Sequence, residues 1–248
     1  MAPRFAFWAS KQWVQTQQEG DAMDAMKRRF RVGLLFFGVP LLCAVTLCGQ
    51  GPYKIGTAPL PTSSDLPQAL TSVLQAQGQR LLDAKGVTQC EIWLRKSAPA
   101  QPAPASSGDV LYGALSMGEF VGVLHFPGAG SDFRGQAIKA GYYTLRYVLI
   151  PQDGNHMGVS PNRDFILLSP IAADSDPAKV PSFNDLLKLS KQASGTNHPA
   201  VISLAPVHDQ SFPSVAQDDQ GHWIMQVKLP TSSGELPIAV ILVGQAQS

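Results

Sequence analysis

Apolar and polar positions alternate with a period of two through much of the chain after residue 65, and that spacing predicts strands. The clearest stretch is Gly141-Tyr-Tyr-Thr-Leu-Arg-Tyr-Val-Leu-Ile150, which follows the turn-like Lys139-Ala140 and stops at Pro151. Tyr143, Leu145, Tyr147 and Leu149 fall on one face, and Tyr142, Thr144, Arg146 and Val148 on the other. Its aromatic and β-branched residues suit a pleated, buried surface, so we expect a central strand here. Residues 80–83 and 87–96 read as a hairpin around Ala84-Lys85-Gly86, with a longer helix reaching Ala84 as the competing reading. Residues 110–117 and 119–126 read as two strands joined at Gly118. Further strands are expected at 163–169, with its apolar run Phe165-Ile-Leu-Leu168, and at 201–204. A hairpin of 212–216 and 222–229 turns at Asp218-Asp-Gln-Gly221, and 236–243 closes the set.

Two segments break this period. Leu66, Leu70, Val73 and Leu74 share one helical face, with Ser64 or Asp65 as a cap and Gly78 as the stop. Ser182 with Asp185 three residues later resembles a capping box. Leu186, Leu187 and Leu189 form the apolar side of that helix, and Gly195 ends it. Only one segment between strands is convincingly helical, so alternating βα units cannot be built. The expected fold is all-β: an antiparallel two-sheet β-sandwich with one or two short helices, preceded by an N-terminal signal or anchor segment. The composition agrees, with 15% charged residues, 22 Gly and 20 Pro, many at plausible turns.

The pattern before residue 65 is different. Lys27-Arg28-Arg29-Phe30-Arg31 is followed by an uncharged run from Val32 to Leu47 and then by small or polar residues. This is the layout of a secretory signal, with Met26 as an alternative start to Met1 and cleavage expected near Cys48 or Gly49. The other reading is an uncleaved membrane anchor, because uncharged sequence continues to Tyr53, although Pro40 interrupts it. Leu47 is too large for the position before a lipidated Cys48, and the arginine pair is of the kind used in twin-arginine export. The organisation expected is therefore a leader over 1–49, a flexible Pro/Gly/Ser/Thr-rich spacer over 50–64, and one sandwich domain over 65–248.

Removing the leader changes the charge. The first 49 residues hold six of the 19 basic and three of the 18 acidic residues, leaving 13 basic against 15 acidic. No basic stripe survives, which argues against a nucleic-acid partner. Cys43 and Cys48 leave as well. Cys90 is then alone in an expected strand, where a buried, inert thiol is the simpler reading.

The stretch Ile138-Lys-Ala-Gly-Tyr-Tyr-Thr-Leu-Arg146 resembles a feature of bacterial exported immunoglobulin-like or transthyretin-like sandwiches, in which an Ala-Gly turn delivers a Tyr-Thr-Leu strand into the core. The resemblance covers about ten residues and implies a fold but transfers no active site, since sandwiches of this kind carry many activities.

Candidate chemistry is sparse. Gly128-Ala-Gly130 does not lead into a helix, so it is no phosphate fingerprint, and no Gly-x-Ser-x-Gly occurs. None of the five histidines sits at a close metal-ligand spacing. His125 lies at a strand end on the face expected for Val121 and Val123, while His156 and His198 lie in loops. If the loops at 127–136, 151–162 and 192–200 meet at one rim, His125, His156 and His198 form the candidate metal set. Asn155, His156, Asn162, Arg163 and His198 are the loop candidates for ligand contacts, because binding residues concentrate on loops held by a rigid scaffold. Asp132, Arg134, Arg146, Arg163 and Asp164 flank the core strands. They read either as an anion or sugar site or as a structural ion network, with the structural reading favoured.

The expected function is an exported, non-catalytic β-sandwich that binds a partner protein, glycan or small ligand in the cell envelope. No cofactor is expected, and the membrane is met only through the N-terminal segment if it is uncleaved. The alternative is an exported metal-binding protein or metalloenzyme that uses the loop histidines.

Overall fold

The computed structural model describes residues 53–62, 64–102, 109–151 and 162–246. In chain order these form β1 (Lys54–Pro59), α1 (Gln68–Val73), β2 (Gln77–Leu82), β3 (Thr88–Leu94), β4 (Phe120–Phe126), β5 (Gly130–Ser131) and β6 (Ala137–Ile138). There follow β7 (Gly141–Leu149), β8 (Asp164–Pro170), α2 (Phe183–Ser194), β9 (Val201–Ala205), β10 (Ser214–Gln217), β11 (Trp223–Thr231) and β12 (Gly234–Val243). Among the described residues no helix is long and apolar enough to cross a membrane. The expected leader, with Met26, Cys43 and Cys48, lies outside the described residues.

Ten strands make one sheet in the order β1-β2-β3-β4-β7-β8-β9-β12-β11-β10, and β5-β6 form a separate ribbon. Each pairing of the large sheet is antiparallel. The expectation of an antiparallel all-β fold with two short helices holds. In place of two facing sheets, one continuous sheet curls until its ends β1 and β10 approach, giving a nearly closed barrel. Twist accumulated over ten strands brings the edges together and shelters them from stray pairing. Across the gap, the Tyr53 ring stands edge-on to Trp223 at 5.1 Å, and Ala98 bridges Thr231.

The alternation along β7, fifth strand of the ten, is as its sequence predicts. Tyr143, Leu145 and Tyr147 are buried in the barrel interior with Ile92, Leu124, Ile166, Met225 and Val240, and Leu149 packs against that core. The opposite residues serve three separate outer neighbourhoods. Tyr142 packs beside Trp93 and Phe120 under α1, Thr144 and Arg146 meet the 171–181 loop, and Val148 lies with Leu186 of α2. Cys90 is interior and 2% exposed, and burial pushes its thiol up to about 12, which leaves it unreactive near neutral pH.

Helix α2 has the ends expected of it. Ser182 Oγ accepts from Asp185 N at 3.2 Å, and Gly195 closes the helix in the left-handed conformation at φ 66°.

Three expectations are corrected. Residues 54–59, expected in a flexible spacer, form strand β1, because an unbroken antiparallel register from Lys54↔Leu82 to Pro59↔Gln77 takes them into the sheet. Gly78 is not a helix stop but lies within β2. A Cβ there would sit 2.3 Å from Ile92 O and 2.5 Å from Trp93 Cδ1, so only glycine lets β2 and Trp93 approach. Residues 110–117 are not a strand, because the backbone donors of Leu111 and Tyr112 go to a side chain and Leu115 N turns back to Tyr112 O. Leu111 N and Tyr112 N donate to the Asp164 carboxylate at 2.7 and 2.8 Å. The segment instead places Tyr112 and Leu115 in the interior core, where Tyr112 Oη donates to Ala205 O at 2.5 Å and accepts from Ala239 N at 3.0 Å.

Candidate functional site

Below Val148 the outer face of β7 runs to Ile150 and Pro151, and there it meets two loops. The first is the turn between β5 and β6. Asp132, 1% exposed, holds it by accepting from Arg134 N (3.0 Å), Gln136 N (2.8 Å), Gln136 Nε2 (2.7 Å) and Val201 N (3.1 Å). This fixes Phe133 against β9, with Phe133 N donating to Val201 O at 2.8 Å.

The second loop follows α2. The left-handed turn at Gly195 sends the chain back over the sheet, and Gln136 stitches it to the first loop. Its Nε2 donates to Pro199 O at 3.0 Å, and its Oε1 accepts from Thr196 Oγ1 at 2.6 Å. Ser194 Oγ donates to His198 O at 2.6 Å, and His198 N donates to Thr196 Oγ1 at 2.9 Å.

Between these loops and α2 lies a cavity of about 380 Å³. Its wall is apolar and aromatic: Phe133, Ile150, Phe165, Phe183, Leu187 and Val201. Arg134, Lys191, Asn197 and His198 also line it and are exposed. Neither Arg134 nor Lys191 pairs with a carboxylate among the described residues. A greasy wall with uncommitted cations at its edge favours a molecule with an apolar body and an anionic head. The three loops proposed from sequence to meet do so in part, through Phe133 and Arg134, Pro151, and Asn197 to Pro199.

The sequence-predicted site residues scatter. Asn155 and His156 lie outside the described residues. Asn162 Nδ2 donates to Leu204 O at 3.5 Å. Arg163 is a brace, with Nε donating to Ile150 O at 3.0 Å and its guanidinium 3.5 Å from Asp109. Of the proposed ligand contacts that are described, His198 alone lines the cavity. His125 is held elsewhere, with Nδ1 2.9 Å from Glu91 Oε2 and its ring stacked on Tyr142 at 4.1 Å. It faces outward with Val123, while Val121 turns to the interior because β4 carries a register shift between Phe120 and Gly122. Among the described residues no group of three His, Cys, Asp or Glu could hold a metal ion.

The charged set divides. Arg146 and Asp164 are fully buried and Asp132 nearly so, each satisfied by protein groups. Asp164 also accepts from Tyr147 Oη at 2.6 Å, and burial together with that carboxylate pushes the Tyr147 phenol up. Only Arg134 of this set reaches the cavity. Sequence reasoning missed the aromatic wall, since Phe133, Phe165 and Phe183 come from three segments that share no period. The available signal was a phenylalanine inside a Gly-rich turn, Ser131-Asp-Phe-Arg-Gly135, where apolar residues are uncommon.

Comparison with family models, with curated proteins and with solved structures finds no match to this chain.

Proposed function

We propose that this is an exported binding protein that holds a small amphipathic anion, with its apolar body in the cavity beside α2 and its carboxylate or phosphate head at Arg134, Lys191 and His198. The observation that carries this reading is the pairing of an aromatic wall with two cations, neither of which has a carboxylate partner among the described residues, around a cavity of about 380 Å³. That volume lies within the roughly 300–1,000 Å³ typical of small-molecule sites. The basic-then-apolar leader supports a place in the cell envelope, and a cleaved N-terminus near Cys48 is the corresponding product.

Calorimetric titration of the protein with decanoate and with decanol tests the assignment. Decanoate should bind with an affinity that weakens as salt is added, and decanol about tenfold more weakly, because the rim contributes a charge-assisted contact. Equal affinity for the two, or none for either, removes the reading.

A further inference from the structure

We propose that the barrel seam holds a second site, which takes a neutral polyhydroxylated ligand such as a hexose unit. A cavity of about 230 Å³ opens where β2 and β3 face β11 across the incomplete closure. Its inner wall is Ile92, Leu94 and Val227, and Phe212 also lines it. Three glutamines, Gln75, Gln77 and Gln79, face the same space.

Gln79 carries the argument. Its Oε1 is buried, and no group among the described residues donates to it. The opposite assignment of the amide oxygen and nitrogen would place an NH₂ at the same buried position. A buried amide oxygen without a donor costs stability, and at a cavity wall it can be met by a donor that enters the cavity. Neither Gln75 nor Gln77 uses its side-chain amide on another protein group among the described residues, so three amides, each both donor and acceptor, are available together.

Charge then selects the class of ligand. Among the described residues the only charged side chains on this wall, Lys228 and Glu235, are paired with each other at 2.8 Å, and Lys228 Nζ also sits 5.6 Å from the centre of the Phe212 ring. A lone anion or cation would have to compete with that pair for its partner. Amides matched to hydroxyls, with apolar wall and ring matched to sugar C–H faces, need no such competition. The amphipathic anion assigned to the α2 cavity has no free cation to meet here, so the two sites are chemically distinct.

The test is a titration of the full-length chain, ¹⁵N-labelled, with D-glucose, N-acetylglucosamine, acetate and tetramethylammonium, followed by amide spectra. Saturable shifts of the Gln75, Gln77 and Gln79 side-chain amides and of the Gly78 backbone amide are expected with at least one sugar and with neither ion. Gln79→Leu should weaken that binding about tenfold and should raise Tm, because it removes a buried amide oxygen that has no donor among the described residues. Response to the ions alone, no saturable response to any probe, or a Gln79→Leu variant that melts lower than the parent would each overturn the proposal. The last outcome would show that the amide serves the fold.

Discussion

Arg146 and Arg134 stand on the same side of the sheet, and the difference between them separates architecture from binding. Arg146 is fully buried and uses all of its donors. Nε and one terminal nitrogen grip the Asp174 carboxylate at 2.9 and 2.8 Å. The remaining bonds go to Gly118 O (3.3 Å), Lys179 O (2.8 Å) and Asp176 O (2.8 Å), and the guanidinium lies 5.4 Å from the Phe120 ring centre. Thr144 Oγ1 donates to the same carboxylate at 2.6 Å. The clamp ties the 171–181 loop to β7, and no donor is left for a ligand. Arg134 is exposed on a rigid turn and has no carboxylate partner among the described residues. A buried charge is tolerated only when it is saturated by its own protein, whereas a charge at the mouth of an apolar cavity is useful when it is not.

The largest expected effect comes from breaking the clamp. Arg146→Ala leaves Asp174, 5% exposed, without its ion partner. It should destabilise the fold by roughly 3–5 kcal/mol, read from urea denaturation. The paired replacement Arg146→Met with Asp174→Leu should recover most of that loss, because it removes both charges and keeps the apolar contacts. If the single variant costs less than about 1 kcal/mol, the pair behaves as a surface ion pair and the contrast with Arg134 collapses.

What could be read from the sequence follows the same division. The two faces of β7 and both ends of α2 were legible, since each rests on local spacing: a period of two in one, Ser182 and Gly195 in the other. Barrel closure was not, because it depends on twist summed over ten strands and on contacts, Tyr53 with Trp223 and Ala98 with Thr231, between residues more than a hundred positions apart in sequence. The 110–117 segment is apolar enough for a strand, but it places Tyr112 and Leu115, three residues apart, in the interior core, with the backbone donors of Leu111 and Tyr112 taken by Asp164. Arg134 and Arg146 appeared as equal members of one charged set. Nothing local to either tells which of them a distant loop will cover.

A smaller effect is expected at the rim. Arg134→Gln with Lys191→Gln should leave folding stability within about 0.5 kcal/mol of the parent, as exposed, unpaired side chains do. Decanoate affinity should fall about tenfold, and its salt dependence should flatten. Both are measured on the same sample, by denaturation and by calorimetry. A loss of stability with affinity unchanged would place these cations with Arg146 rather than opposite it.

The smallest effect tests an intermediate case. His222, 3% exposed, sets Nδ1 2.9 Å from Asp218 Oδ2 and Nε2 3.1 Å from Gln245 O, and its ring meets Phe133 edge-on at 5.4 Å. Ala246 N donates to Phe133 O at 2.8 Å, so this clasp supports the cavity wall from behind. Burial raises the Asp218 carboxyl, but the backbone and side-chain bonds from His222, its charge, and the bond from Gln220 N outweigh it and hold the group below the ordinary carboxylate value. A carboxyl depressed in the folded state stabilises the fold above its unfolded pKa of roughly 4, and that contribution is lost as pH falls through the lower folded value. Asp218→Asn should therefore be less stable than the parent at pH 6, with the gap narrowing at pH 3, in urea titrations at the two pH values. A gap that stays constant would mean that Asp218 acts through the shape of its turn alone, since its Oδ1 also accepts from Gln220 N and His222 N. The clasp would then be a backbone device, and charge would matter on this wall only at the open rim.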